Sequence, residues 1–158
     1  MKARPKGQTL APAAELQSFI GRLGPKDQKL FRSVRTAIRR WFPSANELAY
    51  DYKTSIVIAY SPTNRGIDGI VSIAARPDGV RLYFAHGPEL SDPKRLLLGS
   101  AKQTRYISVD TVRRLARPDV KALLAAAVEQ ASVPLPSKGK GRLLIRGSAA
   151  KRKTRGAT

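Results

Sequence analysis

Cysteine is absent from this chain, and histidine occurs once, as His86. The first absence excludes disulfides, thiolate metal sites and thiol nucleophiles. The second leaves too few imidazoles for a histidine-rich metal centre. No apolar run approaches the roughly 18 residues a membrane span needs, so no membrane partner is expected. The basic N-terminal residues are not followed by an apolar stretch and do not read as a secretory signal. A reducing cytoplasm is the expected compartment. Acids are scarce as well: 11 Asp and Glu stand against 30 Lys and Arg, for a formal net charge of +19.

That charge is unevenly distributed. Residues 1–9 and 138–158 hold eleven of the cations and no acid, leaving residues 10–137 with a net of +8. The body is moderately basic and the ends strongly so. Residues 1–11 read as a disordered basic N-terminus, residues 12–132 as one α+β domain, and residues 133–158 as a Pro/Gly linker followed by a basic tail. The short run Arg142-Leu-Leu-Ile-Arg146 is too short to fold alone.

Within the body the hydrophobic period changes once. Leu16, Phe19, Ile20 and Leu23 recur at helical spacing after Pro12, up to Gly24. From Pro25 to Phe42, Leu30, Phe31, Val34, Ala37, Ile38, Trp41 and Phe42 share one arc of a second helix, while Lys29, Arg32, Arg35, Arg39 and Arg40 share the other. Pro43 stops it. Leu48, Tyr50 and Tyr52 then alternate with Glu47, Ala49 and Asp51, as in a strand with one wet face. Residues 55–60 are apolar on both faces, which suggests a central strand. Residues 70–85 predict a hairpin about Arg76-Pro-Asp-Gly79, with a loop slightly longer than two residues and Val80, Leu82 and Phe84 facing inward. A short helix is expected from Ser91-Asp92-Pro93 to Leu98, a fifth strand over 104–109, and a short helix over 111–115 capped by Asp110. Val120, Leu123, Leu124, Ala127, Val128 and Ala131 mark a last helix after Pro118. The expected fold is therefore α+β: an antiparallel sheet of about five strands flanked by N-terminal and C-terminal helices.

Several short motifs add a resemblance. Trp41-Phe42-Pro43, Tyr50-Asp51-Tyr52, Asp78-Gly79-Val80, Leu82-Tyr83-Phe84, the stretch Gly99-Ser-Ala-Lys-Gln-Thr-Arg-Tyr-Ile107 and Arg117-Pro-Asp-Val120 are similar in order to the YdhG-like family of small bacterial domains of unknown function. The tail Gly139-Lys-Gly-Arg-Leu-Leu-Ile-Arg146 resembles tails of one branch. The likeness covers residues 13–131 and implies a helix-flanked antiparallel sheet. It also implies a comparison with frataxin-like iron delivery, from which this chain departs. Its second helix carries one acid, Asp27, among six cations, and a cationic face repels Fe²⁺, which prefers oxygen and imidazole donors.

Two candidate sites follow. Lys102, Gln103 and Arg105 enter a strand behind Gly99 and can hold a phosphate or carboxylate, with Tyr52 and His86 as further lining. The alternative for that loop is a helix cap followed by a solvated edge strand. The spacing is not that of a P-loop. His86 beside Asp51 or Glu89 has no nucleophile at a spacing that makes a catalytic set, so no catalytic residue, metal site or cofactor is assigned. The five tyrosines fall in strands, where aromatic residues are common as packing groups and can also stack bases. The second set is cationic: Arg32, Arg35, Arg39 and Arg40 of the helix, with Lys138, Lys140, Arg142, Arg146, Lys151, Arg152, Lys153 and Arg155 of the tail. It supports non-specific binding of nucleic acid or another polyanion; the alternative for the helix face is ordinary solvation. The function expected is a cytosolic, non-enzymatic binding or accessory domain. A small-molecule or metal-delivery domain is the alternative.

Overall fold

The computed structural model describes residues 11–147. The disorder expected for the N-terminus and for residues 148–158, with Lys151, Arg152, Lys153 and Arg155, falls outside the described residues. Pro12 and Pro25 open helices α1 (Pro12–Ile20) and α2 (Pro25–Trp41), at the position where a missing N–H breaks no helical bond. α1 ends one turn before Gly24. The Gln28 amide then ties the turn by donating to the carbonyls of Gly21 and Leu23, at 3.3 and 2.7 Å. Phe31, Val34 and Ile38 of α2 are buried, as their spacing predicts.

Five strands form the expected meander: β1 (Asn46–Asp51), β2 (Ile56–Ser61), β3 (Val71–Arg76), β4 (Gly79–Phe84) and β5 (Arg105–Val109), each antiparallel to the next. The β3–β4 pairing closes Arg76 on Gly79 and leaves only Pro77 and Asp78 in the loop, tighter than expected. Gly79, at φ 126°, accepts a backbone geometry that a Cβ would strain. Helix α3 (Pro118–Gln130) follows a 3-10 turn at Val112–Ala116. That turn has no side-chain cap, so Asp110 does not play the part expected of it. No helix forms over 91–98. Asp92 instead accepts the N–H groups of Leu96 and Leu97, both at 2.9 Å, and Arg95 takes a left-handed φ of 53°, which helical propagation does not allow.

The sheet is mixed and six-stranded, not antiparallel and five-stranded. A sixth strand, β6 (Leu143–Gly147), pairs parallel to β1 and gives the order β5-β4-β3-β2-β1-β6. It comes from residues read as tail. Too short to fold alone, Leu143-Leu144-Ile145 finds an open ladder on β1. Its approach is pinned by Gly141 N–H to the Pro43 carbonyl, Arg142 N–H to Asn46 Oδ1, and Glu47 N–H to the Arg142 carbonyl, each 2.9 Å.

The second departure is the facing of β1. Glu47, Ala49 and Asp51 point to the helix side and are buried; they are not a wet face. They stand in cross-strand rows with Tyr60, Val71 and Phe84, with Ile58, Ile73, Leu82 and Ile107, and with Ile56, Ala75, Val80 and Val109. These rows meet Leu16, Ile20, Phe31, Val34, Ile38, Leu123 and Leu124 in one hydrophobic core. Each large buried aliphatic or aromatic side chain there contributes about 1.5–3 kcal/mol by leaving water.

A Cβ at Gly141 would run into the Ala45 carbonyl. Gly141→Ala is therefore expected to lift the entry to β6, with a loss of about 1–3 kcal/mol and faster hydrogen exchange at the Glu47 amide. Unchanged exchange and melting would show that β6 docks without this close approach.

Candidate functional site

The cationic face of α2 divides when the sheet is in place. Glu47, 4% exposed, reaches it from β1. Arg35 donates two hydrogen bonds to its carboxylate, Nε to Oε2 and Nη2 to Oε1, both 2.8 Å. Tyr60 Oη donates to Oε2 at 2.9 Å, and Arg39 Nε lies 3.6 Å from Oε1. Hydrogen bonding to Glu47 raises the Arg35 pKa against the opposing effect of burial. Burial, then the Glu47 charge and hydrogen bond, hold the Tyr60 phenol well above the ordinary tyrosine value. Arg35 is thus a structural cation. Arg32 is turned to Gln17 and Gln28, with bonds of 3.0–3.3 Å.

Arg39 and Arg40 remain exposed and line a hollow of about 330 Å³ with Thr36, Pro43 and Lys140, above the Glu47 carboxylate. Lys140 arrives there because Gly141 is bonded to Pro43. Two groups of cations separated by a hundred residues meet at one place. Lys138, Arg142 and Arg146 are exposed along the same segment.

The other predicted set is dispersed. Tyr52 follows β1 and stacks on Tyr50 at 5.6 Å and 4°. In register it lies beyond the Asp51–Ile56 pair, whereas Arg105 pairs with Phe84 at the opposite end of the sheet. Arg105 bonds the carbonyls of Thr104, at 2.7 Å, and Ala101, so its guanidinium closes its own loop. Lys102 and Gln103 are exposed in that loop. His86 adjoins Arg105 through Gly87, where a Cβ would strike the arginine stem. It lines a separate hollow of about 240 Å³ with Arg65, Asp68 and Gln130, whose amide donates to the His86 carbonyl at 3.1 Å. Tyr52, His86 and Arg105 therefore do not form one pocket.

A third cluster escaped the sequence reading. Arg113, Arg114 and Arg117 line a cleft of about 580 Å³ with Asp110 and Asp119. Arg114 bonds the Ser108 carbonyl and Arg117 lies 3.7 Å from Asp119. The signal was three arginines within five residues. Among the described residues no three of His, Asp and Glu converge to hold a metal, and no helix is long and apolar enough to cross a membrane. Comparison with protein-family models, with curated proteins and with solved structures finds no match.

Because the fold raises the Tyr60 pKa, its neutral phenol is the form the fold favours. That contribution is complete below about pH 10, the unfolded-chain value, and is lost as pH rises toward the folded value. Phenolate absorbance on alkaline titration is expected to show a late step coinciding with unfolding, absent from Tyr60→Phe. A wild-type titration finished before any loss of structure would contradict the Glu47–Tyr60 arrangement.

Proposed function

We propose that this protein is a non-enzymatic, cytoplasmic binding domain of YdhG-like architecture that holds a polyanion, nucleic acid before others. The observation that carries the reading is the convergence of Arg39 and Arg40 with Lys140 around one hollow. Long-range attraction by a chain of net charge +19 would bring a phosphate backbone to it. Neutralised phosphates release counterions and make the affinity fall with salt. Phosphate contacts carry no base information, so this part of the binding is non-specific. Lys151, Arg152, Lys153 and Arg155 of the tail would add to it in the same way. The small-molecule alternative is narrowed to the His86 hollow, and metal delivery has no converging set of donors among the described residues to support it.

The test is binding of the full chain to a short labelled duplex at about 50 and 200 mM salt. The triple variant Arg39→Gln, Arg40→Gln, Lys140→Gln is expected to bind more weakly. Its log–log salt slope should be shallower by about 2.7, from ~0.9 per phosphate contact. No binding by the wild type at low salt, or an unaltered slope in the variant, would remove this reading.

A further inference from the structure

The sheet has a second face, which no α-helix covers among the described residues. All three helices put their buried residues into the core on the other side. Two cross-strand rows run the full width of the second face, with Asn46–Ser61 and Arg76–Gly79 as shorter pairs beside them. One runs Leu144, Leu48, Ala59, Ser72, Tyr83, Tyr106, and the other Gly147, Tyr50, Val57, Ala74, Arg81, Ser108. Neither row contains an acid. Over β1 and β2 this face is partly closed by the loop 62–69. The Asn46 amide holds the Thr63 carbonyl and Asn64 Oδ1, and Gly66 sits against the Tyr50 hydroxyl. Over β3, β4 and β5 the face is partly exposed at Ser72, Arg81, Tyr83 and Tyr106, while Ala74 between them is buried.

What stands there is an ordered aromatic shelf. Tyr83 and Tyr106 lie 5.3 Å apart at 45°. The Arg81 guanidinium lies over the Tyr106 ring, 4.0 Å from its centroid. Its position is held by hydrogen bonds to Tyr83 Oη at 3.0 Å and to Asp78 Oδ2 at 2.7 Å. Arg76 Nη1 reaches the same Tyr83 hydroxyl at 3.5 Å. Across from Tyr83 the floor drops to Ser72 and then Ala59, both small. The loop carrying Lys102 adjoins the shelf, with Gly99 against the Tyr106 ring.

Cross-strand aromatic pairs stabilise sheets by themselves. That role does not require a guanidinium laid over one ring and hydrogen-bonded to the next, or two rows without an acid. The nearest carboxylate, Asp78 of the hairpin turn, pairs with Arg81 at 2.7 Å and with Arg76 at 3.6 Å. We infer that the β3–β5 part of this face is a stacking platform for single-stranded nucleic acid. Tyr83 and the plane of Arg81 would receive unpaired bases over the Ser72 floor, and Arg76 and Lys102 would meet the flanking phosphates. Flat π surfaces and planar guanidinium groups accept any base, while cations track the backbone. A duplex keeps its base faces inside and gains only the phosphate term. Rings and guanidinium held in place by mutual bonds lose little freedom on binding. The inference rests on the nucleic-acid reading above for the ligand's chemistry, but it uses a surface separate from the Arg39–Arg40–Lys140 hollow.

The test measures anisotropy of labelled oligodeoxyuridine, oligouridine and a duplex of equal length with the full chain, at two salt concentrations. The wild type is expected to bind either single strand more tightly than the duplex. Tyr83→Leu should weaken single-strand binding at least about fivefold with no change in salt slope. Tyr83→Phe, which keeps the ring but loses the bonds to Arg81 and Arg76, should recover most of it. A preference of one single strand over the other identifies the sugar the platform favours. Because Tyr83→Leu risks misfolding, a 5-iodouracil strand is also cross-linked to the wild type and mapped by mass spectrometry, with adducts expected at Tyr83 or Tyr106. Duplex bound as tightly as single strand, folded Tyr83→Leu binding like wild type, or adducts confined to other regions would each overturn the inference while leaving the polyanion reading standing. Absence of any nucleic-acid binding overturns both.

Discussion

A carboxylate buried beneath an arginine-rich helix is the constraint on which this structure depends. Glu47 lies on the core side of β1, and a charge there is tolerated only when paired and hydrogen-bonded. Arg35 supplies two parallel bonds, and Tyr60 a third from the neighbouring strand. Four residues on, Asp51 faces the same way and meets Arg22 at 2.6 Å. Strand side chains alternate, so a slip of one residue in β1 would send both acids to the other face and leave Arg35 without Glu47. The two ion pairs thereby specify the register of β1 against α2 and the turn that precedes it. Register of β1 in turn sets the ladder that β6 joins.

The same pairing distributes the basic charge. Without Glu47, α2 would present a continuous cationic stripe. With it, Arg35 becomes part of the interior and Arg39 and Arg40 are left at the helix end. There the segment leading into β6 delivers Lys140. The inverted facing of β1 has a further consequence: Tyr50 joins the helix-free face, together with Tyr83 and Tyr106. Core electrostatics and the two candidate binding surfaces therefore follow from one strand's orientation.

Much of this was legible in the residues. Helical spacing located α1, α2 and α3, and alternation together with the continuous apolar run at 55–60 located the β1–β5 meander, because such local patterns report the surfaces that pack. What escaped were features set by distant partners. Glu47 and Asp51 read as solvent-facing since nothing near them in sequence announces Arg35 or Arg22. The strand β6 read as tail because its partner lies about a hundred residues earlier. The Asp92 turn read as a helix start because a carboxylate accepting nearby backbone N–H groups can cap a helix N-terminus or close an isolated turn. At the candidate sites, Lys140 stands with Arg39 and Arg40 at one hollow, whereas Tyr52 stands at the far end of the sheet from Arg105. Tyr60 alone among Tyr50, Tyr60, Tyr83 and Tyr106 entered the helix-side core.

The orientation of β1 can be interrogated through the pair that specifies it. A double-mutant cycle with Arg35→Met, Glu47→Leu and the double variant, followed by denaturant unfolding at neutral pH, separates the pair's interaction from the separate cost of each change. Arg35→Met is expected to lose about 3–5 kcal/mol by leaving the buried Glu47 carboxylate without its two-bonded partner. Glu47→Leu is expected to lose less because Arg35 is partly exposed, and the double variant to recover most of the larger loss. Losses that simply add would show that Arg35 and Glu47 are not partners in the interior, and would contradict the inward facing of Glu47 from which the rest follows.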